Sequence, residues 1–173
     1  MKKTKQIVTI FAALALAVTA GLSFAGTKTK AAGSDEFTRT AIEIAADMGY
    51  GWNLGNTMEA TNTWTSNPKV TDFETAWGQP VTTKAMIDGI KKAGFNSIRI
   101  PVSWSNMMSS DGNYTIDASY FKRVDEIISY AFANDMYVIV NDHYDGGWWE
   151  HFCGNKKDCM KHYKNMWTGC RTL

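Results

Sequence analysis

The chain has 173 residues, of which 45% are hydrophobic and 20% charged, and its formal net charge is +1. This apolar content is sufficient for a packed core, so an intrinsically disordered tail and a collagen-like repeat are excluded. The balanced charge excludes a basic nucleic-acid-binding domain, and we expect no nucleic acid among the partners of the protein.

The start of the chain has the layout of a secretory signal peptide. A positively charged beginning precedes an almost unbroken apolar run over residues 7–22, and small residues lie just before Gly26. The alternative is a membrane anchor that stays in place, because the run is not far short of a bilayer span. We expect residues 1–25 to be removed, residues 26–37 to form a flexible leader, and the protein to be secreted and extracellular, without membrane contact after cleavage.

The predicted elements begin with a short amphipathic helix over residues 38–47, which ends at Gly49. A short strand follows over residues 50–54. Residues 55–81 are rich in Asn, Thr, Ser and Gly and form a long loop. Because connections of this length are uncommon in compact domains unless they bind something, we expect this loop to be functional.

The rest of the chain alternates between helices and strands. A helix capped by Thr82 or Thr83 ends at Gly94, and a second helix runs from Asp117 to Asn134. Two strands and a last helix are predicted at residues 97–102, 136–141 and about 157–167. The last strand is apolar on both faces, which is typical of a parallel sheet buried under helices. This order predicts a parallel α/β architecture.

Polar and aromatic residues follow each predicted strand, where parallel α/β folds bind their ligands. Arg99 is the most informative of them, because it lies between Ile98 and Ile100 in a strand that we expect to be buried. An unpaired guanidinium would be very costly there, so Arg99 is expected to meet a carboxylate. The alternative is a solvent-facing arginine on an edge strand.

His143 follows the third strand and can hydrogen-bond to a ligand or tune a neighbouring acid. Alternatively, it satisfies the backbone of its own loop. A metal site is a further alternative, since Asp142, Asp145, His151 and His162 are close in sequence, but they lack a recognised zinc spacing. We therefore expect no metal and no other cofactor.

The tryptophans are concentrated in the predicted loops. They are Trp64, Trp77, Trp104, Trp148 and Trp149. Flat apolar faces beside hydrogen-bonding groups suit sugars, whose C–H groups pack on rings while their hydroxyls bind Asn, Asp and His. Each ring taken singly fits a core position equally well, but their concentration in loops favours a carbohydrate cleft in which Trp148 contacts the sugar.

Three segments resemble the first three strand motifs of glycoside hydrolase family 5, and in particular its bacterial endoglucanases, or cellulases. They are GWNLGNT at residues 51–57, GFNSIRIPVSW at residues 94–104 and YVIVNDH at residues 137–143. The resemblance implies a (β/α)8 TIM barrel, of which residues 38–173 supply about the first three β/α units. It also implies cleavage of β-linked plant cell-wall glucans with retention of configuration, by a protein that is a monomer when full length.

The resemblance also assigns roles to residues. Arg99 corresponds to the arginine that braces the catalytic nucleophile, and His143 to a substrate-binding histidine. Asn56 and Glu59 stand where relatives contact glucose units. Tyr144 takes the place of a second histidine that the family often has, and it is expected to bind substrate as well.

Two carboxyl groups about 5 Å apart carry out retaining glycoside hydrolysis. The family places them at the ends of the fourth and seventh strands, with the acid in an Asn-Glu pair. The glutamates of this chain are at positions 36, 43, 59, 74, 126 and 150, and none of them follows an asparagine. At about 40 residues for each β/α unit, a whole barrel needs on the order of 300 residues. We therefore expect a truncated N-terminal portion that lacks both catalytic glutamates and is inactive alone.

The three cysteines all lie near the end of the sequence, at positions 153, 159 and 170. In an exported protein an odd number suggests one pair and one leftover thiol, and Cys153 with Cys159 is the candidate disulfide. Two other functions remain open: a non-catalytic carbohydrate-binding protein, and a small metal-dependent hydrolase built on Asp142, His143 and His151.

Overall fold

Three parallel strands form the single sheet of the computed structural model, which describes residues 39–63, 65–152 and 154–171. The strands, in both chain order and sheet order, are β1 (Gly51–Asn53), β2 (Ser97–Val102) and β3 (Tyr137–Asp142). The helices are α1 (Ala41–Met48), α2 (Val70–Glu74), α3 (Lys84–Lys92), α4 (Ala118–Phe132) and α5 (Lys156–Cys170). The predicted parallel α/β order is confirmed.

Side-chain caps fix where the helices begin. Thr40 and Glu43 form a capping box at α1, in which each side chain accepts a hydrogen bond from the other residue's backbone N–H. Thr83 caps α3, and Asp117 caps α4 through the backbone N–H of Ser119 at 2.8 Å. The helix starts predicted from the sequence agree with these caps or lie within a few residues of them.

The core lies between β2 and the helices that cover one face of the sheet. Its largest contributions come from β2 and α4, with α3 adding one fully buried isoleucine. The buried aliphatic residues of these elements are Ile87, Ile98, Ile100, Val102, Val124, Ile127 and Ile128. Because α4 places its apolar residues on one stripe, it buries them in this core, where it contacts α2, α3 and β3.

The prediction that the third strand is buried on both faces is wrong for the described residues. All six residues of β3 are only half-buried, and the three residues of β1 are exposed. The reason is their position, since β1 and β3 are the two edges of the sheet and only β2 has a neighbour on each side. None of the described helices has the length and apolar character that crossing a membrane requires.

The predicted loop over residues 55–81 contains a short helix, α2, that the sequence pattern did not reveal. A buried ion pair ties it to α4, because the Glu74 carboxylate accepts hydrogen bonds from Arg123 Nε at 3.0 Å and Nη2 at 2.9 Å. The same carboxylate accepts the backbone N–H of Thr82 at 2.7 Å. Three charge-assisted hydrogen bonds therefore hold the far end of this loop.

Candidate active site at the strand ends

Arg99 lies in the middle of the sheet, where the parallel register sets it beside Asn53 of β1 and Ile139 of β3. Its Nη1 donates a hydrogen bond to Asn53 Oδ1 at 2.6 Å, and its Nη2 donates to His143 Nδ1 at 2.9 Å. One guanidinium thus joins the carboxyl ends of all three strands. The register brings Arg99 and His143 into direct contact, although 44 positions separate them in sequence.

The expected carboxylate partner of Arg99 does not occur among the described residues, whose four ion pairs all involve other side chains. The guanidinium is half-buried rather than enclosed, since Asn53 beside it is exposed and water reaches the charge. A guanidinium has five N–H groups, and within the described part of the chain an amide and an imidazole each accept a hydrogen bond from one of them. The others can bind an anionic or hydroxyl group at this end of the sheet.

The contact with Arg99 also fixes the proton of His143. A guanidinium only donates, so Nδ1 of His143 must accept and the ring proton of the neutral imidazole must lie on Nε2. The backbone of His143 is held as well, because its N–H donates to the Val102 carbonyl at 3.0 Å. Nε2–H is therefore a fixed donor that can bind a hydroxyl oxygen of a ligand.

Glu59 holds the loop that follows β1. Its side chain is buried, and its two carboxylate oxygens accept the backbone N–H groups of Asn56 at 2.6 Å and Thr57 at 3.0 Å. Burial and these two hydrogen bonds hold the Glu59 carboxylate against the backbone of its own loop. Asn56 is exposed on the same loop, and the glucose contacts expected of both residues stay predictions.

The close packing of this loop explains Gly55. A Cβ atom at this position would lie 2.6 Å from Asn53 Nδ2, which is too short for a real contact. Since Asn53 is the partner of Arg99, a side chain at position 55 would push it away from the guanidinium. Gly55 in the first strand motif thus leaves room for the contact between Asn53 and Arg99.

Two residues that sequence analysis did not single out connect the loops beneath the site. Ser103 Oγ lies 3.0 Å from the Glu59 carbonyl and 3.2 Å from the His143 carbonyl. The buried Tyr120 hydroxyl lies 2.7 Å from the Met58 carbonyl and 3.1 Å from that of Ser103. Ser103 could have been found, because it lies within the second strand motif, but Tyr120 comes from α4 and only the fold brings it here.

Trp148 occupies a packed position and not an open one. It is half-buried and stacks on His162 with ring centroids 4.0 Å apart, and His162 stacks on Tyr114 at 4.3 Å. The indole Nε1 of Trp148 donates to Asp145 Oδ2 at 3.1 Å. Burial lowers the pKa of His162, so the ring in this stack favours its neutral form. The placement gives Trp148 a structural contact, while the expected sugar contact stays a prediction.

Asp142 is an unusual acid at the end of β3. Burial, together with the charge of Asp145 and a hydrogen bond to it, raises the pKa of Asp142 to about 8. Its Oδ1 is buried and has no hydrogen-bond partner among the described residues. At neutral pH this carboxyl group is therefore mostly protonated.

The metal alternative receives no support from the geometry. In the described ranges, no three His, Cys, Asp or Glu side chains come together in a way that could hold a metal ion. His151 is exposed, whereas Asp142 and His143 are half-buried.

Several predictions fall on residues outside the described ranges. These include the signal peptide, the whole leader, Trp64 and Cys153. Cys159 is a buried thiol whose Sγ lies 3.5 Å from the Trp148 carbonyl oxygen. Its pairing with Cys153 stays a prediction.

Comparison with known proteins gives a consistent family. The family model described as Cellulase (glycosyl hydrolase family 5) matches residues 58–172. Endoglucanase A from Paenibacillus barcinonensis is 41% identical over 162 residues, which are 90% of this chain and 39% of the relative. Endoglucanase A from Clostridium longisporum is 47% identical over 131 residues, which are 75% of this chain and 25% of the relative. The chain thus spans two fifths or less of the length of these relatives.

A solved structure gives the same result for the fold. The GH5-4 broad specificity endoglucanase from Ruminococcus champanellensis with bound cellotriose superimposes with a TM-score of 0.70 at 43% identity, over 75% of this chain and 38% of that one. The described strands and helices are three β/α units of its (β/α)8 barrel fold, as predicted.

Proposed function

The chain belongs to glycosyl hydrolase family 5, and we propose that it acts in the hydrolysis of plant cell-wall β-glucan as the N-terminal portion of a retaining endo-β-glucanase. The observation that carries the proposal is the contact of Arg99 with Asn53 and His143 at the carboxyl ends of three parallel strands. These ends are where barrel enzymes carry their active sites.

The chain supplies binding and positioning groups, and the acid and the nucleophile come from outside it. The unused N–H groups of Arg99 suit a carboxylate, which a guanidinium would hold in place and keep ionised as a nucleophile. His143 offers Nε2–H to a sugar hydroxyl, and Asn56 offers its amide from the loop beside it. No cofactor is needed, because two carboxyl groups suffice for the reaction.

The partner that we propose is a β-glucan polysaccharide, bound by a monomer when the protein is full length. The protein acts outside the cell, and residues 1–25 direct its export. Two considerations support this: the sequence of residues 1–25 has the charge and apolar pattern of an export signal, and a cell-wall polymer is too large to be taken up whole.

One observation favours a second function, a non-catalytic carbohydrate-binding protein. Large aromatic rings are exposed next to the site, which a binding surface requires and a core does not. On this alternative, the full-length gene product would bind β-glucan without turning it over.

The test uses the purified chain with carboxymethylcellulose and with cellohexaose. We expect binding of cellohexaose by isothermal titration calorimetry and no release of reducing ends from carboxymethylcellulose. Arg99→Met is the matched variant, and like the unmodified chain it should release no reducing ends from carboxymethylcellulose. Hydrolysis by the chain alone would contradict the proposed division of labour, and failure to bind cellohexaose would contradict the glucan assignment.

A further inference from the structure

α1 is an apolar helix that the other described residues leave uncovered. Six of its eight residues are apolar, namely Ala41, Ile42, Ile44, Ala45, Ala46 and Met48. None of the eight is buried, and Ile42 is 82% exposed. A helix that is apolar over most of its circumference is normally enclosed, and exposed apolar surface of this kind marks an interface. α1 therefore presents a surface that needs a partner.

Polar contacts fix the last turn of α1 to the sheet. The Asp47 carboxylate accepts a hydrogen bond from the Tyr137 hydroxyl, and Arg39 Nη1 donates to both groups at 3.0 Å. The backbone carbonyl of Asp47 accepts the side-chain amide of Asn96. Gly49, with φ 53°, turns the chain from α1 toward β1. Since Tyr137 begins β3 and Asn96 directly precedes β2, α1 ends beside the amino ends of two strands.

The contact with Tyr137 shows which face of the sheet α1 lies under. Tyr137 is two residues before Ile139, the register partner of Arg99, so its side chain is on the same face as Arg99. The helices pack on the other face, to which Val138 and Val140 contribute. In an α/β barrel the helices form the outer ring, so the Arg99 face is the interior. α1 thus lies beneath the interior, at the end opposite to the candidate active site.

The length of α1 matches the opening that it faces. Eight residues make a helix about 12 Å long. Eight strands that are about 4.8 Å apart and tilted by about 36° close into a ring about 15 Å across. One helix of this length spans most of the ring that the amino ends of the strands form. The three described strands supply three of the eight positions on that ring.

We propose that α1 closes the amino end of the barrel, and that its exposed apolar side packs on the inward-facing residues of the five further strands. This role depends on the barrel fold and not on the binding of glucan, so it goes beyond the proposed function. The partner has the right chemistry, because Val, Ile and Leu side chains dominate the interior of such a barrel. A membrane surface fits poorly: the charged residues within α1 are Glu43 and Asp47, whereas helices that lie on membranes are rich in Lys and Arg.

The experiment compares the full chain with a chimera in which residues 39–171 replace the matching segment of endoglucanase A from Clostridium longisporum. Ile42→Asp should leave the melting temperature of the full chain unchanged, because the side chain is exposed there. It should lower the melting temperature of the chimera by about 5 °C or more, because a carboxylate is then buried against apolar side chains. Ile42→Leu keeps the apolar contact and should leave the chimera close to its unmodified melting temperature.

Val81→Asp is the matched control, since Val81 is 40% exposed in the loop before α3. It should change the melting temperatures of the full chain and of the chimera by the same amount. Hydrogen exchange gives a second measurement that needs no substitution. The backbone amides of α1 should exchange more slowly in the chimera than in the full chain, because only the chimera covers the helix.

An equal effect of Ile42→Asp in the full chain and in the chimera would overturn this role, because α1 would then be covered within this chain or not at all. A chimera that does not fold, although the relative does, would also overturn it, since α1 would not fit the rest of a barrel. A dimer of the full chain that Ile42→Asp converts to monomers, measured by sedimentation, would overturn it in favour of a second copy. None of these measurements involves a glucan, so failure of this role and failure of the proposed function are distinguishable.

Discussion

The buried ion pair between Glu74 and Arg123 gives a sharp prediction about stability. The Glu74 side chain is fully buried and that of Arg123 is 13% exposed, so replacing Glu74 by leucine leaves a guanidinium without its main partner. Breaking a buried pair on one side costs about 3–5 kcal/mol. The backbone N–H of Thr82 also loses its acceptor, at about 1–3 kcal/mol. Arg123 keeps its contact with Glu126 at 2.6 Å, which offsets part of the loss.

We therefore expect Glu74→Leu to lower the free energy of unfolding by about 4 kcal/mol, a large part of the stability of an ordinary domain. Urea unfolding at pH 7, followed by far-UV circular dichroism, measures it. Glu126→Gln is the matched control and should cost less than about 1 kcal/mol, because its side chain is half exposed. The double variant Glu74→Leu, Arg123→Met should recover the share of the loss that comes from the unpaired guanidinium, but not the share that comes from the Thr82 N–H. A Glu74→Leu loss below that of the control would refute the reasoning.

Three further predictions concern the site and its support. Gly55→Ala should weaken cellohexaose binding, since its Cβ would displace Asn53; unchanged calorimetric affinity would count against the tight contact. The pKa of Asp142 is about 8 in the folded state, whereas in the unfolded state the side chain titrates near pH 4. The contribution of Asp142 to the free energy of unfolding therefore declines as pH rises from 4 to 8. Urea titrations across that range should show a shallower decline in Asp142→Asn, and an identical profile would contradict the raised pKa. Tyr120→Phe should cost about 1 kcal/mol in urea unfolding, because the Met58 carbonyl loses one of its two donors and keeps only the Ser103 N–H; no measurable loss would mean that the hydrogen bond is not formed.

The positions of Arg99 and His143 could be predicted because the apolar pattern locates the strands and parallel folds gather their functional groups at one end. Their direct contact could not, since it depends on the register that pairs Val102 with Asp142. The carboxylate expected to meet Arg99 is not among the described residues, so that pairing stays a prediction. The contact of Arg99 with Asn53 could not be predicted either, because it depends on the register of the edge strand β1.

The turn after β3 shows why the exposure of each of its two tryptophans could not be predicted. Patterns of period 2 or 3.6 assign side chains to faces only within strands and helices. Residues 144–147 all have positive φ, so neither period applies to the tryptophans that follow. Trp148 is held on the packed side because its indole N–H donates to the buried carboxylate of Asp145, whereas Trp149 is exposed.

The central claim is that this chain supplies the Arg99 end of a glucanase active site. The most direct measurement replaces the matching N-terminal segment of a full-length endoglucanase relative with residues 39–171 of this chain and assays hydrolysis of carboxymethylcellulose. We predict an active chimera whose kcat falls about 100-fold or more on Arg99→Met, since a group that holds the reacting carboxylate contributes that much. A folded chimera without activity, or one whose kcat is the same with Arg99→Met, would contradict the claim.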